Sequence, residues 1–481
     1  MILNLISLFF FLNYLKIINS LKSEQIHISL AGSNGIRVTW YTSNYLDNSG
    51  CIYGEEKNLL NSISQATSVS YLSSYGVHHK ALLNNLLPGK IYYYSCGDLN
   101  SEMSEVYSFK TVPKVDNVEP LKFAIFGDMG WENSTTRPMG ILGSKTMSGN
   151  WSASYSLELL KSLMSQDEID MIWHVGDVGY ADDACFHTIA TALQFEYEKA
   201  YNGYMNWISP LTTQLPYHVV VGNHEAECHD PLCILRYKEL GKPLSNFTAY
   251  NARWAMPSKE SGGVENMWYS WNYGPIHFIS IDTSTDFPDA PEQVKGGSHV
   301  FEAGYFAADG EYMKWVENDL KAAASDPSIR WIIAGGHRPF EDFNSDQLES
   351  LFEQYGVAFY FAGHSHSYSR FLSDQHHGVT HVVVGGAGCE EMVFAETNPT
   401  PGYHTNATCH EWSTRLVKGE RRNRESVCAE AEFFTDAYAI GKLTAQDGGW
   451  GDLQWELLSS ITGEVIDYVT IPSEKFPKKK I

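Results

Sequence analysis

The chain has 481 residues, of which 19% are charged and 43% are apolar, and its formal net charge at neutral pH is −23. This length predicts two domains, and this composition excludes a largely disordered chain. The negative charge argues against binding to nucleic acid or to an anionic membrane, because either surface would repel the chain.

The first twenty residues have the pattern of a secretory signal peptide. An apolar run from Ile2 to Ile18 leads to Ser20, a small residue suited to cleavage, although no basic residue precedes the run. A membrane anchor is the alternative, but Lys16 interrupts a run that would need roughly 20 apolar residues to span a bilayer. We therefore expect a signal peptide at 1–20 and a secreted or lumenal protein that is not held at a membrane after cleavage.

Two further features fit export. Four Asn-x-Ser/Thr sequons predict N-glycans at Asn133, Asn150, Asn246 and Asn406. The eight cysteines include no Cys-x-x-Cys pair, which favours disulfides over a structural zinc site. Cys51 and Cys96 fall in one predicted domain and are expected to pair, and Cys228 and Cys233 are close enough to close one loop. The sequence leaves the connectivity of these other six cysteines open.

Residues 23–113 have the pattern of a small all-β sandwich domain. Apolar and polar residues alternate at Ile26, Ile28 and Leu30, and the later runs are separated by glycine and asparagine. His78 and His79 lie in one of these runs and are interpreted as ordinary strand residues.

Residues 119–472 have a different, α/β pattern, in which short apolar runs end in glycine and amphipathic stretches lie between them. Three stretches have apolar residues at helical spacing: Leu157, Leu160 and Met164; Met313, Val316 and Leu320; and Leu348, Leu351, Phe352 and Tyr355. Further strands are predicted at 380–384, 453–458 and 464–471. This larger domain is expected to carry the chemistry.

Five segments of this domain share one pattern, an apolar strand, a glycine and then a residue able to bind a metal ion. They are FAIFGDMG, IWHVGDVGY, YHVVVGNHE, WIIAGGH and FYFAGHSH, and their candidate ligands are Asp128, Asp177, Tyr180, Asn223, His337, His364 and His366. Any one of these residues alone is better explained as a turn or a helix cap. Together they predict one metal site, because loops at the carboxyl ends of strands converge in α/β folds.

The number and type of these side chains suit two cations. A carboxylate can bridge two ions, so Asp177 is placed between them, with Asp128, Tyr180 and His366 around one ion and Asn223, His337 and His364 around the other. Two neighbouring ions clamp the attacking and leaving oxygens of a displacement at phosphorus, which predicts a phosphoester hydrolase. A phenolate ligand calls for a strongly Lewis-acidic ion, so Tyr180 points to Fe(III) and to an acidic pH optimum. The alternative for Tyr180 is a core tyrosine packed under its loop.

In this order, GDMG, GDVGY, GNHE, GGH and GHSH resemble the purple acid phosphatase family of dinuclear metallophosphoesterases. The likeness extends to QIHISLAG and IRVTWYTS, which resemble the start of the long plant and fungal members, and to the C-terminal strands. It implies a four-layer β-sandwich flanked by helices, after a fibronectin-III-like domain. It also implies Fe(III) with one divalent ion, Zn, Mn or Fe, and hydrolysis of phosphomonoesters by a metal-bound hydroxide.

The resemblance implies that His224 donates a hydrogen bond to the substrate phosphate and does not bind a metal ion. One departure concerns the stretch after His337, where plant members carry further histidines and this chain reads RPFEDFNSDQ. The general acid is therefore unassigned. Arg338 is a candidate phosphate ligand, with a surface or loop-holding arginine as the alternative, and His229 is a looser candidate.

Acid hydrolysis of small phosphomonoesters is the leading hypothesis. A phosphodiesterase, pyrophosphatase or phytase on the same metal pair is the alternative, because the ion clamp does not itself select a substrate. A catalytically dead adhesion or binding module is the alternative outside enzymes, and the full set of seven candidate ligands argues against it.

Overall fold

The computed structural model describes residues 22–114, 116–131, 153–182, 184, 194–288, 290–292, 301, 303–342, 346–371, 378–389 and 431–475. The predicted signal peptide and the sequons at Asn133, Asn150 and Asn406 lie outside these ranges, whereas Asn246 is described and exposed. Among the described helices, none is long and apolar enough to cross a membrane.

The N-terminal domain is built from seven antiparallel strands: β1 (Glu24–Leu30), β2 (Ile36–Thr42), β3 (Ser49–Gly54), β4 (Ser62–Val69), β5 (Val77–Leu83), β6 (Ile91–Asp98) and β7 (Tyr107–Lys110). Their order is β1-β2-β5-β4-β3-β6-β7. The first half of β4 pairs with β3 and its second half with β5, so this strand passes from one layer to the other. The predicted all-β sandwich is thus confirmed, as is the Cys51–Cys96 disulfide, which joins β3 to β6.

Strand β1 differs from its sequence pattern. Alternating apolar and polar residues are typical of a strand with one exposed face, yet both faces of β1 are buried. Its polar face packs against the second domain, where His27 Nε2 lies 2.9 Å from the Arg253 carbonyl oxygen and Ser29 Oγ donates to that of Ala255 at 2.6 Å. The two domains therefore share a polar, hydrogen-bonded interface.

The second domain contains two mixed sheets. The first has the order β10-β9-β8-β18-β19-β20 and the second β11-β12-β13-β14-β16-β15-β17. The strands are β8 (Leu121–Phe126), β9 (Met171–His174), β10 (Tyr217–Val219), β11 (Tyr269–Tyr273), β12 (Ile276–Ser280), β13 (Trp331–Gly335), β14 (Val357–Ala362), β15 (Tyr368–Phe371), β16 (Thr380–Val384), β17 (Ala431–Thr435), β18 (Ala439–Ala445), β19 (Leu453–Ser459) and β20 (Val465–Ile471). Aromatic side chains fill the space between the sheets, with Trp173 and Phe278 at 5.6 Å and Phe361 and Trp455 at 4.7 Å between ring centroids. This is the sandwich of two sheets expected for a metallophosphoesterase fold.

Helices lie outside the sheets. The described α-helices are α1 (Ala153–Ser165), α2 (Tyr197–Trp207), α3 (Ser209–Thr212), α4 (Pro231–Leu235), α5 (Thr248–Arg253), α6 (Ser258–Ser261), α7 (Glu311–Ser325) and α8 (Asp346–Tyr355). Single turns of other helix types occur at Asn223–Glu225, Tyr237–Gly241, Lys242–Leu244, Phe340–Asp342, Asp447–Gly449 and Ser473–Lys475. The three predicted apolar stripes lie on α1, α7 and α8 and face the protein core. The one difference is in the last turn of α1, where Leu163 rather than Met164 is buried.

Buried histidines make the stability of the fold depend on pH. His218 Nε2 accepts a hydrogen bond from the Leu30 N–H across the domain interface at 3.0 Å, and burial holds the pKa of His218 well below its usual value. In β5, His79 contacts the hydroxyls of Thr42 and Ser68, and burial lowers its pKa to about 4. The unfolded chain takes up these protons near a pKa of about 6.5, so stability falls as the pH drops from there toward 4.

We expect His79 alone to contribute a loss of about 3 kcal/mol in the free energy of unfolding over that window. Urea unfolding of wild type and of His79→Gln at about pH 7.5 and about pH 4.5 measures the contribution as a difference between the two pH dependences. Equal pH dependences would contradict it.

Candidate metal centre

The five candidate segments follow five strands, each of which runs parallel to its neighbour within one of the two sheets. Strands β8, β9 and β10 lie side by side in the first sheet, and β13 and β14 lie side by side in the second. Asp128 follows β8, Asp177 and Tyr180 follow β9, Asn223 follows β10, His337 follows β13, and His364 and His366 follow β14. Because the carboxyl ends of parallel strands meet at one edge, these loops bring all seven side chains to one region.

Four of the seven residues have a left-handed backbone. Their φ angles are 60° at Asp128, 50° at Asp177, 48° at Tyr180 and 65° at His364. This region costs roughly 1 to 3 kcal/mol for a residue with a side chain, and tyrosine has no local hydrogen bond to offset the cost. Concentrated strain of this kind is typical of functional sites, where the surrounding structure holds the backbone in place.

Glycines that precede candidate ligands allow close approach between loops. A Cβ atom on Gly176 would collide with the ring of His337, and one on Gly222 would collide with the carboxylate of Asp177. Gly176 and Gly222 are therefore required by side chains from other loops.

Asp128, Tyr180 and His366 form one group, and all three are buried or nearly so. The Tyr180 hydroxyl lies 3.0 Å from Asp128 Oδ1 and 2.9 Å from His366 Nε2, and His366 Nε2 lies 3.3 Å from Asp128 Oδ1. The phenol, the carboxylate and the imidazole thus direct their ligand atoms at one point.

Asp177, His337 and His364 form a second group, in which one ligand atom from each lies within 4.8 Å of the others. His337 Nε2 lies 2.9 Å from Asp177 Oδ2 and 3.2 Å from Asn223 Oδ1. The two groups are in contact, because the backbone N–H of His364 donates to Asp128 Oδ2 at 2.9 Å. The structure thus groups these side chains as the sequence predicts, while their role as metal ligands and the bridging role of Asp177 stay predictions.

The second group has the chemistry of a cation site. His337 Nδ1 lies 2.9 Å from the Val175 carbonyl oxygen and donates to it, which leaves Nε2 to face the oxygens of Asp177 and Asn223. Asp177 Oδ2 is buried and accepts no hydrogen bond within the described part of the chain. Burial lowers the pKa of His337, but the Asp177 carboxylate outweighs it and raises that pKa. A cation stabilises such facing acceptors, either as a second proton on His337 or as a metal ion, so the residues fit a metal.

Supporting residues that the sequence did not reveal hold the loops together. Glu225 accepts the backbone N–H groups of Asp177, Val178 and Gly222, each at 2.9 Å. The Thr283 hydroxyl accepts those of His337 at 3.2 Å and Arg338 at 2.9 Å. Glu225 belongs to the GNHE segment, so its carboxylate next to a candidate ligand was a usable signal, whereas no local pattern marks Thr283.

The two candidate substrate residues lie at this site. His224 Nδ1 is 2.8 Å from Asp182 Oδ2, and His224 Nε2 is 4.0 Å from Asp177 Oδ2. Arg338 Nη1 lies 2.8 Å from His364 Nε2, and its Nη2 pairs with the buried carboxylate of Glu292. The His224 imidazole and the Arg338 guanidinium therefore line the region into which the candidate ligands point.

Two family models and several known phosphatases are similar to this chain in sequence. Residues 121–368 match the family model for calcineurin-like phosphoesterases, and residues 23–111 match that for the N-terminal domain of purple acid phosphatases. The chain is 29% identical to a probable purple acid phosphatase of Arabidopsis thaliana over 72% of this chain and 69% of the relative. It is 26% identical to an acid phosphatase of Aspergillus ficuum over 87% of this chain and 80% of the relative.

A solved purple acid phosphatase from yellow lupin (Lupinus luteus) seeds has the same fold. The match has a TM-score of 0.62 at 19% identity, over 95% of this chain and 75% of the lupin chain. With more than half of its residues matched by one family model and its first domain by the other, the chain belongs to the calcineurin-like phosphoesterases and, within them, to the purple acid phosphatases.

Proposed function

We propose that this chain hydrolyses small phosphomonoesters under acidic conditions, with Fe(III) and one divalent ion, Zn, Mn or Fe, in a secreted or lumenal compartment. The observation that carries the proposal is the pair of contacting ligand groups at one edge of the two sheets, joined by the hydrogen bond from His364 to Asp128. The net charge of −23 does not oppose a small anionic substrate, because bound cations make such a site locally positive.

Asp128, Tyr180 and His366 would hold Fe(III), with Asp177 shared between the ions. Tyr180 supports this assignment because the residue is only 4% exposed and its hydroxyl lies between a carboxylate and an imidazole. A buried phenolate needs a strongly Lewis-acidic partner, which a trivalent ion is. Asn223, His337 and His364 would hold the divalent ion. When bound, such a pair activates water and neutralises charge on the phosphoryl oxygens.

The chain's own side chains orient the substrate. His224 Nε2 is directed toward Asp177 while Asp182 fixes the other ring nitrogen, so a hydrogen on Nε2 is placed to bond a phosphate oxygen. Arg338 begins the stretch that lacks the histidines of plant members, and it is the candidate phosphate ligand there. Its guanidinium is held by Glu292 beside His364 and can donate to an anionic oxygen there.

Rates on p-nitrophenyl phosphate, on its bis ester, on pyrophosphate and on phytate, each measured across pH with the metal-loaded enzyme, test the proposal. We expect faster turnover of the monoester and an optimum on the acid side. Preference for the bis ester, for pyrophosphate or for phytate would move the assignment to the alternatives, and no turnover at full metal loading would favour a binding module.

Tyr180→Phe is expected to abolish visible absorption from tyrosinate bound to iron, because the hydroxyl that donates charge to the ion is gone. Absorption spectra are recorded on samples whose iron and second metal have been quantified. Tyr94→Phe, which removes the hydroxyl of a buried tyrosine in β6, is the matched control and should keep the colour. A colourless wild-type protein with full iron loading would remove the support for Fe(III) at this position.

A further inference from the structure

The Asp182 carboxylate, beside the candidate metal centre, contacts two histidines, His224 and His229. Asp182 Oδ2 lies 2.8 Å from His224 Nδ1 and 3.2 Å from His229 Nδ1, and the Asp182 side chain is 1% exposed. His229 belongs to the loop closed by the Cys228–Cys233 disulfide, and the sequence left it as a looser candidate for the roles of the missing histidines.

The position of His229 does not suit a general acid. Its second ring nitrogen, Nε2, lies 3.2 Å from Glu227 Oε1, so both nitrogens face carboxylates. A group that protonates a leaving oxygen must direct a nitrogen at that oxygen. His229 is therefore placed to hold protein groups rather than substrate.

The loop that carries His229 is itself held in several ways. The His229 backbone N–H donates to the Asp182 carbonyl oxygen at 3.2 Å, and Glu227 Oε2 accepts the N–H of Phe301 at 2.7 Å. The neighbouring Asp230 carboxylate is fully buried and accepts the N–H groups of Glu196 and Tyr197 at the start of α2. The disulfide closes this short loop, so the backbone that carries the His229 imidazole is held in place.

We propose that His229 is a positioning residue for His224, acting through Asp182. By donating to the same carboxylate oxygen, His229 holds Asp182 in the orientation in which Oδ2 accepts from His224 Nδ1. That bond keeps His224 Nε2 directed toward the Asp177 centre. The inference rests on the proposed function of His224 as a substrate ligand, and it assigns to the disulfide loop the task of supporting that ligand.

Two amide variants of His229 separate its two contacts. Asparagine places an amide nitrogen where Nδ1 lies and can keep the contact with Asp182, whereas glutamine places it where Nε2 lies and keeps only the contact with Glu227. We expect His229→Ala and His229→Gln to lower kcat/KM roughly tenfold or more, as loss of an outer hydrogen-bond partner does elsewhere. His229→Asn should recover to within about threefold of wild type. Metal content should be unchanged in all three.

A double-mutant cycle with His224→Ala tests whether His229 acts through His224. If it does, adding His229→Ala to His224→Ala causes no further loss of kcat/KM. His277→Asn is the matched control and should leave activity unchanged, since His277, on β12, lies between the Asp319 carboxylate and Asn272. Additive losses, or recovery by glutamine equal to that by asparagine, would overturn the inference.

Nitrogen-15 chemical shifts of the His224 ring give a readout that does not depend on turnover. They should change in His229→Ala and remain as in wild type in His229→Asn, and unchanged shifts in both would also overturn the inference. An inactive, fully metal-loaded wild type would defeat the proposed function instead, and these shifts would still test the link between the two histidines.

Discussion

Asp177→Asn is expected to lower turnover by about 10⁴-fold or more and to reduce the content of both metals. Asp177 is the residue assigned to both ions, and its Oδ2 is buried 2.9 Å from His337 Nε2 without a hydrogen bond of its own in the described structure. Burial would raise the pKa of Asp177, but the imidazoles of His337 and His224 hold it well below its usual range. The carboxylate is therefore ionised, and an amide in its place removes the charge that a cation needs.

The fold should survive this change, because asparagine has nearly the same shape and its oxygen can still accept the backbone N–H of His224, which Asp177 Oδ1 accepts at 2.9 Å. Turnover and metal content are measured on the same preparations. Asp170→Asn is the matched control: Asp170 lies just before β9, at the end of the strand opposite to Asp177, and accepts the Lys122 N–H. A variant of Asp177 that keeps both metals and near-normal turnover would contradict the shared-ligand assignment.

The candidate ligands were accessible from sequence because each depends on local chemistry. A strand ending in glycine and then a ligand residue is a short pattern, and Gly176 and Gly222 show why the glycine is required. The amphipathic stripes of α7 and α8 were accessible for the same reason, because three or four apolar residues at helical spacing define a buried face.

Features that depend on distant parts of the chain were not accessible. Strand β18 lies in the middle of the first sheet, between β8 and β19, yet its sequence AIGKLTA was not predicted to be a strand. Its glycine, Gly441, is explained only by the Trp455 ring on the neighbouring strand, which occupies the space a side chain would need. The polar face of β1 is likewise buried by a domain that its own sequence does not indicate.

Arg338 shows how the structure decides between sequence alternatives. The sequence left it as either a phosphate ligand or an arginine that holds its loop. In the structure the guanidinium pairs with the buried Glu292 on one side and contacts His364 on the other. The two roles are thus compatible, since an arginine anchored by a carboxylate keeps other N–H groups to present to an anion.

His224→Ala is expected to lower kcat/KM by about 10² to 10³-fold while both metals stay bound. His224 contacts Asp182 through Nδ1, and its ring lies 4.4 Å from the ring of Tyr180, but it is not needed to complete either ligand group. The loss should appear both in turnover and in weaker inhibition by inorganic phosphate, because the same nitrogen would bond a phosphate oxygen in substrate and product.

Amide variants again locate the effect on one nitrogen. His224→Gln places an amide N–H near the position of Nε2 and should recover part of the phosphate affinity, whereas His224→Asn keeps only the contact with Asp182 and should behave like alanine. Loss of metal in His224→Ala would show that this imidazole supports the ions rather than the substrate. If asparagine restored more activity than glutamine, the contact with Asp182 would matter more than the nitrogen that faces Asp177, and His224 would be a structural element of its loop.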